Sequence, residues 1–322
     1  MPSSTIRHEE TISPEEAALV TEFIEFLKAA SLERYPSGRP RRFNQGRQTA
    51  LVQAEFTVPD GLPPSHRVGV FARPRTYPAW IRFANAASDS DRERDIRGMS
   101  IQIGDVTGEN LTPGASTQDF ILNSHPVMLA ANTRDFLELL RANEAGGFRR
   151  VVYFLTHINS ARIGAAARQS PSSHLDIRYW STTPYQFGLD RIVKYAVQPT
   201  SRRTSSKPDS LTDTYLTDAM RAHLDQEEAT FDFLVQFYVD DNRTPIEDAT
   251  VEWQARDSPY HRVATIRIPR QRFEDAERVM RGEQMSFNPW HCLAPHAPVG
   301  GMNRARRDIY RAMAEFRNQP RR

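Results

Sequence analysis

Cysteine is nearly absent from this chain of 322 residues, which contains only Cys292. A single thiol cannot form an intrachain disulfide framework or supply a thiolate metal cluster. Long apolar runs are also missing, since no stretch approaches the roughly 20 apolar residues that a membrane-spanning helix needs. The N-terminus has no hydrophobic signal core. We therefore expect a cytoplasmic protein without a membrane span.

The chain also lacks an excess of charge of one sign. It has 42 basic and 40 acidic residues, which gives a net charge of +2. This balance creates no overall field that would select nucleic acid or an anionic membrane as a partner. The chain is long enough for a sizeable core, and no internal repeat or shift in composition indicates a second globular domain.

The N-terminal residues predict an arm followed by a helix. Residues 1–12 have the composition of a flexible arm. Ser13-Pro14-Glu15-Glu16 combines an N-cap serine, a proline at the first helical position and a glutamate at the third, which predicts a helix that runs to about Ala30. Its apolar face is predicted to pack against the core; it consists of Val20, Phe23, Ile24 and Leu27.

Short strands dominate the next part of the sequence. The apolar and turn patterns predict four of them, at Thr49–Val58, Trp80–Asn85, Gly98–Ile103 and Asp119–Asn123. Because no helix separates them, we expect an antiparallel barrel or a highly curved sheet in an α+β protein. Helices are predicted at Thr133–Ala145, with Thr133 as the cap, at Phe148–Ile158 and at Leu216–Glu228, and further strands at Phe231–Val239 and Val263–Ile268.

The segment from Asn303 to Arg317 predicts a helix with an unusual stripe. It follows the turn signal Gly300-Gly301, and Asn303 is a suitable N-cap residue. One face carries Arg306, Tyr310, Met313 and Arg317. Two interpretations are open for these arginines. They either lie in water on a solvated amphipathic helix, or they are buried against an anionic group.

Four motifs carry a resemblance to the catalase superfamily. Arg306-x-x-x-Tyr310 with Arg317 resembles its proximal haem helix. Arg94-Asp95-Ile96-Arg97-Gly98-Met99-Ser100 resembles the signature of catalases, Ile81–Ala86 resembles the strand before it, and Asn123-Ser124-His125-Pro126-Val127 resembles the distal segment. Residues 179–185, 245–248 and 287–291 are similar to short catalase-like haem-binding proteins, so that the resemblance covers about residues 40–317.

The resemblance implies a fold, a cofactor and a set of site residues. It implies an antiparallel β-barrel of the catalase type with surrounding helices, formed by one haem-binding domain over residues 40–322 after an arm and helix over 1–39. The implied cofactor is haem b, with Tyr310 as the axial ligand of the iron, kept ionised by Arg306. The other implied roles are propionate binding by Arg42, Arg82 and Arg317, the distal amide for Asn123, and the aromatic ring over the haem for Phe136.

The chain departs from the family at the distal base. Gln45 stands where catalases have their essential histidine, and Ala84 stands where they have the serine that supports it. An amide can form hydrogen bonds but cannot exchange a proton with a peroxide as an imidazole does. We therefore expect weak dismutation of hydrogen peroxide. His125 is the nearest candidate for a substitute base, and the alternative interpretation is a capped or surface histidine beside Pro126.

Three hypotheses for function follow. The first is a haem-dependent oxidoreductase or hydroperoxide-rearranging enzyme that resembles allene oxide synthase, acts on an organic hydroperoxide or another apolar molecule, and is compatible with a homo-oligomer. Val127, Met128 and Leu129, where catalases have aromatic residues, would then open an apolar pocket, to which Ala84 and His125 also contribute. The second is a non-catalytic haem-binding carrier or sensor. The third is a barrel that binds a different apolar ligand.

Overall fold

The computed structural model describes residues 11–319. These residues form nine β-strands: β1 (Arg47–Val58), β2 (Arg75–Asn85), β3 (Arg97–Ile103), β4 (Gln118–Asn123), β5 (Tyr179–Trp180), β6 (Tyr185–Gln186), β7 (Ile192–Pro199), β8 (Ala229–Phe237) and β9 (Tyr260–Ile268). They also form seven α-helices: α1 (Pro14–Arg34), α2 (Thr133–Ala145), α3 (Gly147–Thr156), α4 (Ile158–Ala167), α5 (Tyr215–Leu224), α6 (Ala276–Gln284) and α7 (Gly301–Asn318). Four short 3-10 helices lie at Pro64–His66, Gly69–Phe71, His174–Asp176 and Ala294–His296.

Eight of the strands close into an antiparallel barrel. Around the ring the order is β1, β2, β3, β4, β5, β7, β8 and β9, and β9 pairs again with β1. The short strand β5 closes the ring, because Trp180 pairs with Asn123 of β4 on one side and with Ala196 of β7 on the other. β6 is added to β7 outside the ring. Closure leaves no sheet edge open to another chain, and it confirms the predicted antiparallel barrel.

Aromatic side chains fill the interior of the barrel. The ring of Phe233 lies 4.7 Å from that of Phe120 and 5.0 Å from that of Phe56, measured between centroids. All three are buried in the largest hydrophobic cluster. Because side chains of a strand alternate between faces, the residues between these core positions point outward. A row across three paired strands, Arg82, Ser100 and Ile121, is therefore turned to the outside of the barrel.

Three helices pack over this outer face. The buried side chains of Phe23 and Leu27 in α1 meet those of Leu137 in α2 and of Ala305 and Ile309 in α7. The predicted N-cap is present at the start of α1, where the backbone N–H of Glu16 donates to Ser13 Oγ at 3.2 Å, while the Glu16 carboxylate accepts from Arg304. α1 extends one turn beyond the predicted end at Ala30. The expected arm falls mostly on residues 1–10, outside the described range.

Further helix boundaries differ from the prediction, among them the end of α5, which lies at Leu224 and not at Glu228. α2 is capped by Asn132, whose side chain accepts from the N–H of Asp135, and Thr133 is instead its first helical residue. The helix predicted over 148–158 is α3, which ends at Thr156, and a break at His157 separates it from α4, which the sequence did not predict. α7 begins after Gly300, which has φ of +89°, so Asn303 is no cap. Its buried side chain donates to the carbonyl oxygen atoms of Pro184 and Val299.

None of the helices within residues 11–319 is both long enough and apolar enough to cross a bilayer.

Candidate functional site

A cavity lies between the outer face of the barrel and helices α1, α2 and α7. It encloses about 1320 Å³ free of protein atoms, part of which is continuous with solvent. The row Arg82, Ser100 and Ile121 forms its barrel wall. Nine side chains that the sequence singled out line it together: Arg42, Gln45, Arg82, Asn123, Met128, Phe136, Arg306, Tyr310 and Arg317. The structure thus brings together residues that are up to 275 positions apart, Arg42 and Arg317.

Tyr310 and Arg306 are held as a pair on α7. Arg306 Nη2 donates to the Tyr310 hydroxyl at 3.0 Å, and its Nη1 donates to Thr183 Oγ1 at 3.0 Å and to Asn303 Oδ1 at 3.2 Å. Burial lowers the pKa of Arg306, but the ionisable phenols of Tyr310 and Tyr185 outweigh it and raise the pKa above its ordinary value. A guanidinium that stays charged and is anchored at both nitrogens can neutralise an anionic oxygen one helical turn away.

Arg42, Arg82 and Arg317 form a buried cluster, named here the arginine cluster. Arg82 and Arg317 are only 2% and 7% exposed. Glu283, at the end of α6, lies 3.6 Å from Arg42 and 3.4 Å from Arg82. Arg42 also donates to the carbonyl oxygen atoms of Gly282 and Met285. Three cations therefore share one carboxylate at one end of the cavity.

The arginine cluster is short of negative charge. Burial, together with the charge of the neighbouring arginines, lowers the pKa of Arg42 and of Arg317 to about 9 and that of Arg82 to about 10. Within residues 11–319, Arg42 Nη1 and Arg317 Nε are buried without a hydrogen-bond acceptor. Such groups are costly unless something binds them. After Glu283 is counted, the cluster has two uncompensated positive charges, which suits a ligand with two negative ones.

Two amides face the same cavity from the barrel. Gln45 Nε2 donates to Asn123 Oδ1 at 2.9 Å. Gln45 has a left-handed backbone, with φ of +56°, and its N–H donates to the carbonyl of Ala86. Its side chain lies directly over Gly98, where a Cβ atom would come within 2.3 Å of it. The glycine of the Arg-Asp-x-Arg-Gly motif therefore makes room for the amide at position 45.

The charged residues of that motif support the loop between β2 and β3. Asp95 accepts from the backbone N–H groups of Ala87 and Ser88 at 2.8 and 2.9 Å. Arg97 is fully buried and donates to the carbonyl of Glu93 at 2.8 Å and to the side chain of Asn85. Neither residue lines the cavity. Their role in the structure is to fix the position of Gly98.

Four of the five residues predicted for a substrate pocket do not line the cavity; Met128 does. Ala84 is fully buried in the sheet, and Val127 is 8% exposed. Leu129 packs against Tyr153 and its neighbours behind α2. His125 Nδ1 lies 3.3 Å from the carbonyl of Val127, so its ring is capped by its own loop. The two-residue spacing from Asn123 does not bring His125 to the cavity, because β4 ends at Asn123.

Sequence reasoning missed two polar residues of the site. Glu283 lies at the end of α6, a short polar helix for which the sequence gives no functional signal. Thr183, which accepts from Arg306, lies in the Tyr-Trp-Ser-Thr-Thr-Pro segment that resembles short catalase-like proteins. Its position in that segment could have identified Thr183 as a residue of the site.

The fold of the chain is that of the catalases. Its structure matches that of a bacterial catalase with a TM-score of 0.70 and 15% sequence identity, covering 98% of this chain and 63% of that one. A fungal catalase matches with a TM-score of 0.70, 13% identity, and coverage of 99% and 66%. Catalase A from Saccharomyces cerevisiae matches with a TM-score of 0.71, 15% identity, and coverage of 99% and 68%. No protein-family model and no curated protein sequence matches the chain.

These comparisons confirm the catalase-type barrel with surrounding helices. The chain spans about two thirds of the length of the catalases that it matches. At identities of 13–15% the likeness is one of fold.

Proposed function

We propose that the protein binds haem b in this cavity and acts on an organic hydroperoxide, as an oxidoreductase or a hydroperoxide-rearranging enzyme with weak dismutation of hydrogen peroxide. The observation that carries the proposal is the set of side chains that line the different walls of one cavity. Helix α7 contributes Tyr310 with its arginine, one end presents the arginine cluster, and the barrel presents two amides. The solved structures compared above are catalases, which supports a redox enzyme.

The residues fit a haem in three respects. The two propionates of haem b form a dianion, and the arginine cluster has two uncompensated charges and two buried donor atoms without an acceptor. Tyr310 offers an oxygen of a known axial type, with Arg306 to balance its charge as a phenolate. Phe136 and Met313 add apolar side chains to the same lining, as a macrocycle requires.

When bound, the haem supplies a ferric iron centre that activates the O–O bond of a peroxide. Gln45 and Asn123 then decide which peroxides are useful. Their mutual hydrogen bond uses Gln45 Nε2 and Asn123 Oδ1; it leaves Asn123 Nδ2 to donate to a substrate oxygen and Gln45 Oε1 to accept from a hydroperoxide O–H group. Neither amide takes up a proton near neutral pH, so the pair orients the substrate without shuttling protons. Rearrangement of an organic hydroperoxide makes less demand on such a shuttle than dismutation does.

Apolar side chains favour a substrate larger than hydrogen peroxide. Phe23 and Leu27 of α1, Leu140 of α2 and Met128 all line the cavity. Burial of such surface contributes roughly 25 cal/mol per Å² to binding. Hydrogen peroxide has no apolar surface to bury, whereas a substrate with an apolar chain gains this binding free energy.

The experiment is the absorption spectrum of the purified protein after reconstitution with haem b, compared with that of Tyr310→Phe. Loss of the ligand oxygen should reduce haem content and change the charge-transfer bands. Tyr238→Phe is the matched control, because the Tyr238 hydroxyl bonds Asp241 away from the cavity and its loss should leave both unchanged. Normal haem content with unchanged bands in Tyr310→Phe would refute the axial assignment.

Turnover measurements distinguish an enzyme from the alternative, a non-catalytic haem-binding carrier or sensor. The amide at position 45 also favours that alternative. The reconstituted protein should consume organic hydroperoxides faster than hydrogen peroxide. A haem protein that consumes neither is the carrier or sensor. A protein that takes up no haem uses the cavity for another apolar ligand.

A further inference from the structure

Helix α3 turns its apolar face to solvent. The side chains of Phe148, Val151, Val152 and Leu155 are 81%, 54%, 39% and 70% exposed. Their spacing of three, four and seven residues places them on one face of the helix. Ile158 at the start of α4 is 57% exposed and extends the patch. These five residues are named here the α3 stripe. A helix of a globular protein normally buries such a face, and a contiguous exposed patch marks an interaction site.

The residues around the α3 stripe are basic. Residues 147–168, which span α3 and α4, contain four arginines and no aspartate or glutamate. All four are exposed: Arg149, Arg150, Arg162 and Arg168. On the wheel of α3, Arg149 lies about 60° from Val152, at the border of the apolar face, whereas Arg150 lies on the opposite side of the helix. Arg162 follows Ile158 by four residues in α4 and therefore lies on the same side as Ile158. This local excess of positive charge is not apparent from the net charge of the whole chain.

We propose that the α3 stripe and its arginines dock on the surface of an anionic phospholipid membrane. An amphipathic helix with large apolar side chains on one face and arginines beside them lies in the interfacial plane of a bilayer, where lipid headgroups neutralise the arginines. A second copy of the chain suits the patch less well. Antiparallel pairing of two α3 helices would bring their arginines together, and like charges across an interface oppose association.

The position of α3 gives the docking a consequence for the cavity. α3 packs on α2 through Tyr153, whose ring is buried and whose hydroxyl donates to the carbonyl of Asp135. The other side of α2 presents Phe136 and Leu140 to the cavity. Docking would thus place the cavity one helix away from the lipid surface. This inference does not depend on the haem proposal, because it uses no residue of the arginine cluster or of α7.

The test is flotation of the purified full-length protein with lipid vesicles. Mixed vesicles of phosphatidylcholine and phosphatidylglycerol should bind the protein, vesicles of phosphatidylcholine alone should bind it weakly, and high salt should release it. Phe148→Ser with Leu155→Ser should lower the partition coefficient about tenfold or more. Arg149→Gln with Arg162→Gln should lower it about fivefold per charge and remove the preference for anionic lipid.

Leu189→Ser is the matched control, because Leu189 is 74% exposed in a loop outside the stripe and its replacement should change nothing. All these side chains are exposed, so the variants should fold, and circular dichroism with a melting curve verifies this. Absence of vesicle binding by the wild type would overturn the proposal. So would binding that the stripe variants retain. Sedimentation velocity that shows a dimer abolished by Phe148→Ser and Leu155→Ser would also overturn it in favour of a second copy.

Discussion

Gln45 is the residue on which the chemistry depends most. Its left-handed backbone and its contact with Gly98 hold the amide at one place, 2.9 Å from Asn123. A side chain held this firmly supports the positioning function that we propose for the amide. His125 does not face it from the same cavity, because its ring is bonded to its own loop.

We predict that Gln45→His, alone or with Ala84→Ser, raises dismutation of hydrogen peroxide by an order of magnitude or more. A distal imidazole restores the proton transfer that an amide cannot perform, and such transfer raises the rate ~10²–10⁴-fold. Oxygen evolution by the haem-loaded protein measures it. Gln53→His, at an exposed position of β1, should give no gain. If the wild type already evolves oxygen as fast as a catalase, a base at position 45 is not required.

The sequence motifs identified side chains that line the cavity better than the residues that surround them. Tyr310, Arg306 and Asn123 lie within motifs, so the resemblance could assign them. Glu283 could not be assigned, because a carboxylate in a polar helix has no pattern until the fold brings it to Arg42 and Arg82. Val127 and Leu129 do not line this cavity for a related reason: the chain leaves the strand at Asn123, after which side chains no longer alternate between faces.

At the scale of elements, α7 joins the two halves of the site. It carries Tyr310 and, two turns later, Arg317 of the arginine cluster. Without a ligand, repulsion among the arginines of the cluster destabilises the folded protein, because three buried cations face one carboxylate. Stability of the empty protein and retention of a dianion should therefore respond in opposite directions when one cation is removed.

We predict that Arg317→Ala weakens haem retention about tenfold or more, the worth of one charged hydrogen bond, while the melting temperature of the haem-free protein stays the same or rises. Transfer of haem to apomyoglobin and thermal melts of the empty protein measure the two effects. Arg307→Ala removes an exposed arginine of the same helix and should change neither. Parallel loss of stability and retention would show that Arg317 is needed only for folding.

Elements with a strong local pattern were predicted, and elements that depend on distant partners were not. β1 alternates, β2 to β4 are short segments bounded by turn residues, and the predicted segments lie within these four strands. β5 and β6 have two residues each, and only pairing with β4 and β7 makes them strands. The break at His157 has no proline or glycine to announce it. It lets α3 pack on α2 while α4 turns away.

At the scale of the whole molecule, buried histidines link folding to pH. Burial lowers the pKa of His296 to about 4 and that of His174 well below its ordinary value. The native state keeps both rings neutral, whereas the unfolded chain takes up protons near pH 6.5. Stability is therefore complete above about pH 6.5 and falls as the pH drops toward 4, by up to about 1.4 kcal/mol per pH unit for each ring.

We predict that the free energy of unfolding falls between pH 6.5 and about 4 and that His296→Gln flattens the curve. Glutamine can still accept from the N–H of Val70, as His296 does at 3.2 Å. Urea titrations across this range measure the slope. The difference between the two curves isolates His296 from Asp119, whose pKa burial raises and which acts in the opposite direction. Parallel curves would exclude His296 as a source of the acid sensitivity.

The order of the site residues along the chain imposes a sequence on its assembly. A ribosome releases α1 and Arg42 first and α7 with Tyr310 and Arg317 last, yet α1 packs directly on α7. The last strand of the barrel ends at Ile268, before α7 in the chain, but without α7 the cavity lacks one wall and the side chain of Tyr310. A cofactor bound as proposed can therefore be enclosed only after α7 has packed on α1.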